Sequence, residues 1–251
     1  MRFLILTAVS LTAFFIQPNI ARSQSVATTN DSVAIKNALN IYHQYMSPES
    51  NLYDGSEYTY NTYYPFIINE GDPFFFSKNF DTGSVYYNGI VYEKVPLLYD
   101  IIHGEVLIRD PSQINVVRLN DKYIGWFTIY GHTFTKLIKD STSANPLNTG
   151  FYAALYKGRT SLYKSVSKIF KENSASFQGL NKYTVETDEY FVKKNNDYFR
   201  IKNKKSLLKI LGDRKKDINQ YMKKNKLKFK KAKEYTLIKV VAYYDQLTAN
   251  N

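Results

Sequence analysis

Beyond Gly83 the chain is cut repeatedly by short turn-forming groups, and between the cuts it is rich in Val, Ile, Tyr and Phe. That pattern suits antiparallel strands joined by tight turns. SVYYNGIVYEKV reads as a hairpin, because Asn88-Gly89 supplies the two positive-φ residues that a type I′ turn requires. LLYDIIHGEVLIRD reads as a second, turning near His103-Gly104, and INVVRLNDKYIGWFTIY as a third, turning at Asn120-Asp121. In the second arm of the third, Tyr123, Phe127 and Ile129 alternate with Ile124, Trp126 and Thr128, so a central strand covered on both faces is expected. GHTFTKLI continues from Gly131, and FYAALYKGRTSLYKSVSKIF forms another pair about Gly158, with a helix over Ser161 to Phe170 as the alternative. YTVETDEYFVKKNNDYFRIK ends the series with a hairpin at Asn195-Asn196-Asp197. Roughly ten strands result, more than a flat sheet holds without curling. The expected fold is mainly β (α+β): a curved antiparallel meander, half-barrel or sandwich-like, with amphipathic helices at the C-terminal end.

Aromatic content supports this, at 16%, with 23 Tyr and 16 Phe against one Trp. Tyrosine suits a half-buried sheet, ring inward and hydroxyl toward water. Upstream, Val33 to Met46 places Ile35, Ala38, Leu39, Tyr42 and Met46 on one helical face, ending at Ser47-Pro48. Residues 51–83 are aromatic and turn-rich, expected as loop and edge strand wrapping the sheet. The tail changes period. Ser206 is placed to cap LLKILG and Asp213 to cap RKKDINQYMKKN, where Ile218, Tyr221 and Met222 form one stripe. Glu234 to Leu247 repeats the pattern through Ile238, Val241 and Leu247, with Tyr244 beside them.

The first residues have the three parts of a secretory signal: Arg2, an uncharged run from Phe3 to Ile16, and Ala21-Arg22-Ser23 ahead of a cut before Gln24. The run is too short for a bilayer, which needs about 20 apolar residues. The expectation is a signal over residues 1–23, a disordered leader over 24–32, and one β-rich domain over 33–251 whose helical part covers about 205–248. The product is expected in the periplasm or outside the cell, with no transmembrane span. The chain has no cysteine, so thiol catalysis, thiolate metal sites and disulfides are all excluded.

LYDGSEY, GSVYYNGIVYEKVPLLYD, EYFVKKNNDYFRIKNKKSLLKIL and DRKKDINQYMKKNKLKF resemble an uncharacterised family of exported proteins from Bacteroidetes-type bacteria. The resemblance runs through most of the mature chain. It implies export and compactness, and it transfers no activity and no functional residue.

Charge is unevenly placed. Of 34 basic and 22 acidic residues, 17 Lys or Arg and only three Asp fall between Lys193 and Lys233. Once Arg2 and Arg22 leave with the signal, the rest of the chain carries 15 basic and 19 acidic residues. Three readings of this cationic tail compete: a solvated face that keeps the protein soluble, a contact with anionic lipid headgroups or lipopolysaccharide phosphates, and nucleic acid, for which no specific readout motif is present. The candidate anionic-surface contacts are Lys215, Lys216, Lys223, Lys224, Lys226, Lys228, Lys230, Lys231 and Lys233. Anionic envelope lipids or another envelope protein are the partners this implies.

No catalytic, metal or cofactor site is assigned. His43, His103 and His132 lack metal-ligand spacing. Asp100, Glu105, Asp110 and Asp121 sit in or beside the hairpins, where turn-forming Asp is the commoner role. There is no GxSxG elbow and no phosphate-cradling glycine loop. The favoured expectation is a non-enzymatic binding or assembly module at the cell envelope. A half-open barrel carrying a lipid or other apolar ligand is the alternative. An enzyme of unrecognised type is a third, requiring two carboxylates, or a His and a carboxylate, within hydrogen-bond reach.

Overall fold

The structure, a computed structural model, describes residues 48–139, 146–176 and 179–249. The expected signal, leader, first helix and His43 lie outside the described residues. Glu49–Asn251 forms one compact unit.

Eleven strands of the described residues form a single antiparallel sheet. They are β1 Ser56–Glu57, β2 Asp81–Tyr87, β3 Ile90–Asp100, β4 Glu105–Arg109, β5 Val116–Arg118, β6 Ile124–Ile129, β7 His132–Leu137, β8 Gly150–Tyr156, β9 Ser161–Ser176, β10 Gly179–Lys194 and β11 Asp197–Ile201. Their spatial order is β1-β5-β4-β3-β2-β6-β7-β8-β9-β10-β11. The tight turns at Asn88-Gly89 and Asn195-Asn196 follow the predicted chemistry, and Tyr130-Gly131 adds a third of the same kind. Asn88-Gly89, Tyr130-Gly131 and Asn195-Asn196 all take positive φ and close two-residue hairpins.

The third predicted hairpin does not form. β5 pairs with β4 and β1, whereas β6 pairs with β2 and β7. The link between them, a short 3-10 turn at Asp121–Tyr123, crosses the strand ends instead of reversing at Asn120-Asp121. β2 to β5 are therefore a meander whose next strand returns beside its first, as in a Greek key. Alternation in β6 is one-sided as well. Ile124, Phe127 and Ile129 are buried, while Trp126 lies half-exposed and stacks over Tyr86. The ambiguous stretch from Ser161 is strand, since β9 and β10 pair along nearly all of their 16 residues.

The sheet is open but strongly curled. In a flat sheet of this order β3 and β10 would stand six strand spacings apart, about 29 Å. Yet Glu70 bridges to Tyr183 on β10 and Phe74 to Asp100 on β3, and four residues reach only ~14 Å. Lys168 of β9 helps hold that strap, bonding to the Asp72 carboxylate at 3.4 Å and to the Phe74 carbonyl. Inside the curl lies one core, including Val85, Leu97, Phe127 and Phe134, all without exposed surface.

Helices cover the other end of the sheet. After the single turn α1, Tyr60–Tyr63, come α2 Lys204–Ile210, α3 Lys215–Lys224 and α4 Lys233–Ala249. Asn203, not Ser206, caps α2: its side chain accepts from the Ser206 N–H, while Ser206 returns the bond as the fourth member of a capping box. Asp213 does not cap α3. It sits in the 3-10 turn Gly212–Arg214 and accepts from Lys194 and Tyr244. The second core joins Leu162, Val192 and Ile201 of the sheet to Leu207, Ile218, Leu237, Val240 and Val241 of the helices. Asp245 of α4 reaches the β8–β9 turn, accepting from the Thr160 N–H at 2.8 Å and from Tyr156 at 3.2 Å. Gly158 is required there, because a Cβ would lie 1.9 Å from Asp245 Oδ2.

Candidate functional site

The lysine-rich loop between α3 and α4 is shaped by alternation. Leu227 and Phe229 turn inward and pack against the helical core, which points Lys226, Lys228 and Lys230 outward. Backbone bonds fix the loop: Leu227 donates to Met222, and Lys231 and Ala232 donate to Lys228. Eight of the nine candidate lysines are exposed. Lys233 is half-buried, its ammonium 4.6 Å from the Tyr190 ring centre.

None of the nine forms an ion pair among the described residues. The acids of the helical layer that make ion pairs face the sheet instead. Asp213 meets Lys194 at 2.9 Å, and Glu234 meets Lys164 at 3.0 Å. Burial pushes Asp213 up, but its bonds from Lys194 and Tyr244 outweigh that and hold the carboxyl below its ordinary value.

A cleft of about 750 Å³ opens between the start of α2 and the lysine loop. Lys202, Lys204 and Lys205 line one side, with Asn203 among them, and Lys228, Lys230, Lys231 and Lys233 line the other with Phe229. No carboxylate lines it. Lys202, Lys204 and Lys205 were absent from the sequence-derived set. They lie within the charge-dense interval, but their facing the loop depends on how β11, α2 and α4 pack.

A second polar constellation lies at the β3–β4 turn. Asp100 has no exposed surface. Its Oδ2 accepts from Tyr58 at 3.1 Å and Tyr64 at 2.6 Å, and its Oδ1 from the N–H groups of Ile102 and His103 at 3.0 and 3.1 Å. His103 Nδ1 lies 2.7 Å from the Tyr64 hydroxyl and 3.2 Å from Asp100. With the Tyr64 proton directed to Asp100, the short Nδ1 contact is satisfied by a proton on that nitrogen. Burial, then the bond to Asp100 and its charge, push Tyr64 well above the usual phenol range, and burial and Asp100 do the same for Tyr58. Next to this, Arg118 donates to Glu105 at 2.7 Å, to Tyr63 at 2.6 Å and to Ser56 at 2.8 Å. The bond to Glu105 raises the guanidinium above its ordinary value.

So a histidine and a carboxylate do stand within hydrogen-bond reach. The hydroxyl that hydrogen-bonds to that ring is the buried Tyr64 phenol, itself bonded to Asp100; among the described residues no serine or threonine hydroxyl does so, and no cluster of three metal-ligating groups occurs. The other carboxylates are engaged separately. Asp110 closes its own turn with Ser112, Ile114 and Asn115, and Asp121 meets Lys136. His132 packs edge-on against Phe75. What the network visibly does is fasten α1 and its neighbours onto the β3–β4 turn. Among the described residues no helix is long and apolar enough to cross a membrane. Compared with protein families, curated proteins and solved structures, the chain matches none.

Proposed function

We propose that this chain is an exported, non-enzymatic binding module that sits against the anionic surface of a bacterial cell envelope through its helical layer. One observation carries the reading: nine neighbouring lysines lack any carboxylate partner among the described residues, while Asp213 and Glu234 face inward to the sheet. Each Lys near an anionic membrane contributes about 1 kcal/mol, and the attraction fades beyond a Debye length of ~8 Å at physiological salt. A face of exposed, unpaired ammonium groups is therefore strong at contact and short in range. The signal-like start and the resemblance to an exported family support the compartment. Carriage of an apolar ligand beneath the helices is disfavoured by their packing, since Leu207, Ile218, Leu237, Val240 and Val241 leave no exposed surface there.

The test is sedimentation of the mature chain with vesicles of phosphatidylglycerol and phosphatidylcholine at low salt. Reversing Lys223, Lys224, Lys230 and Lys231 to Glu should release the protein into the supernatant. Unchanged sedimentation would remove the electrostatic reading.

A further inference from the structure

A uniform basic face would bind anionic lipid without preferring any part of itself, and this face is not uniform. Seven lysines line the cleft between α2 and the lysine loop, chiefly with their stems. Like charges gathered there repel one another, and no lining carboxylate relieves them. Both walls are nevertheless held in place. One is the chain around the Asn203–Ser206 capping box, and the other is the loop closed by the Lys231 and Ala232 N–H groups on the Lys228 carbonyl. The backbone that carries these lysines is thus fixed before any ligand arrives, so binding orders their side chains alone.

The walls also have an apolar component. Phe229 lines the cleft, and lysine stems lie along apolar surface with their ammonium groups outward. The cleft, at about 750 Å³, falls within the usual range for a small-molecule site, ~300–1,000 Å³. Phosphate oxygens satisfy clustered ammonium groups, and a short hydrocarbon segment satisfies Phe229 and the stems.

We propose that this cleft seats the headgroup of a single phosphate-bearing lipid, with the phosphate among the ammonium groups of Lys204, Lys205, Lys230 and Lys231 and the adjoining apolar part along Phe229. This rests on the reading of the helical layer as an anionic-surface module and gives that surface a specific point of attachment. Phosphatidylcholine is disfavoured, because its choline cation would meet the same ammonium groups that hold the phosphate.

Two variants with equal change in net charge separate the cleft from the face. K204E/K205E/K231E alters the cleft, and K215E/K216E/K224E alters α3 outside it. The new acids at positions 204 and 205 fall in the first turn of α2, where the helix tolerates them. The cleft variant is expected to weaken partition onto phosphatidylglycerol vesicles about tenfold more than the outer variant, more than bulk charge at ~1 kcal/mol per lysine would separate them. Equal losses in the two would overturn the cleft and leave the surface reading standing. No loss in either would overturn both.

The second measurement uses dihexanoyl phosphatidic acid below its micelle concentration, followed through backbone amide shifts of the full mature chain. Saturation at one lipid per protein, with the largest shifts at Lys204, Lys205, Phe229 and Lys231, is expected. Non-saturating shifts spread over all the lysines would overturn the proposal, as would inorganic phosphate binding as tightly as the lipid.

Discussion

Lys136, Lys164, Lys168, Lys182 and Lys194, all rooted in the sheet, stand between 2.9 and 3.4 Å from a carboxylate, whereas the nine lysines from Lys215 to Lys233 have no such partner among the described residues. Exposure differs in the same sense. Those five keep between 11 and 27% of their side-chain surface, and eight of the nine from Lys215 to Lys233 are exposed. A lysine laid along the sheet loses water on several sides and needs a counter-charge to remain. One on the outer side of a helix keeps its hydration and needs none. Those five sheet charges are thus part of the fold, and the charges from Lys215 to Lys233 are available for something outside it.

The polar sheet can be challenged most severely at Asp100. Asp100→Ala would leave the hydroxyls of Tyr58 and Tyr64 and the N–H groups of Ile102 and His103 without their acceptor. We expect a loss of about 3–5 kcal/mol, the combined cost of several buried donors left unpaired. Urea unfolding would measure it. Vesicle sedimentation by the fraction that remains folded should be unchanged, because the helical layer does not touch this network. A loss below about 1 kcal/mol would mean that water replaces the carboxylate without penalty.

The same network predicts alkaline weakness. Tyr58 and Tyr64 are held neutral by burial and by Asp100, with folded values above the ordinary one. In the unfolded chain they ionise near pH 10, so above that pH the unfolded state has released protons that the folded state keeps. Stability is fully present below pH 10 and declines as pH rises past it, by about 1.4 kcal/mol per pH unit for each phenol. Tyr64→Phe should therefore show a shallower fall between pH 10 and 11 than the parent, whatever its stability at pH 8. Parallel curves would argue that the phenols ionise freely in the folded chain.

How much of this was legible beforehand depends on the range of the interactions involved. The hairpins at Asn88-Gly89 and Asn195-Asn196 were readable because two adjacent residues dictate them. The crossing between β5 and β6 was not. Asn120-Asp121 has turn chemistry, but the partner of β6 is β2, which joins it through Val85 and Phe127 across 42 residues. Ser206 and Asp213 were mistaken for caps for a related reason. Asn203, three residues before Ser206, takes the cap, and Asp213 is taken by Lys194 and Tyr244 from distant elements. At the candidate site, the exposure of the loop lysines followed from their alternation with Leu227 and Phe229. The contribution of Lys204 and Lys205 required the packing of α2 beside that loop. The Asp100 network was invisible for a similar reason, since Tyr58 and Tyr64 meet Asp100 over 42 and 36 residues.

The smallest expected effect separates the two classes of lysine most sharply. Lys164 has 16% of its side chain exposed and lies 3.0 Å from both Asp188 and Glu234. Lys164→Met would leave those carboxylates facing each other across the joint between β9, β10 and α4, at an expected cost of about 1–2 kcal/mol. Converting Lys223, Lys224, Lys230 and Lys231 to Gln, by contrast, should move stability by no more than ~0.5 kcal/mol, as for surface substitutions that break no contact. It should even stabilise slightly at low salt, where removing like charges relieves repulsion. Urea midpoints of the two variants at 20 mM and 500 mM salt would show it. If the four Gln substitutions cost as much as Lys164→Met, the helical lysines hold the fold together and are not free for a membrane. If they cost nothing while vesicle binding is lost, folding and binding use separate sets of lysines in this chain.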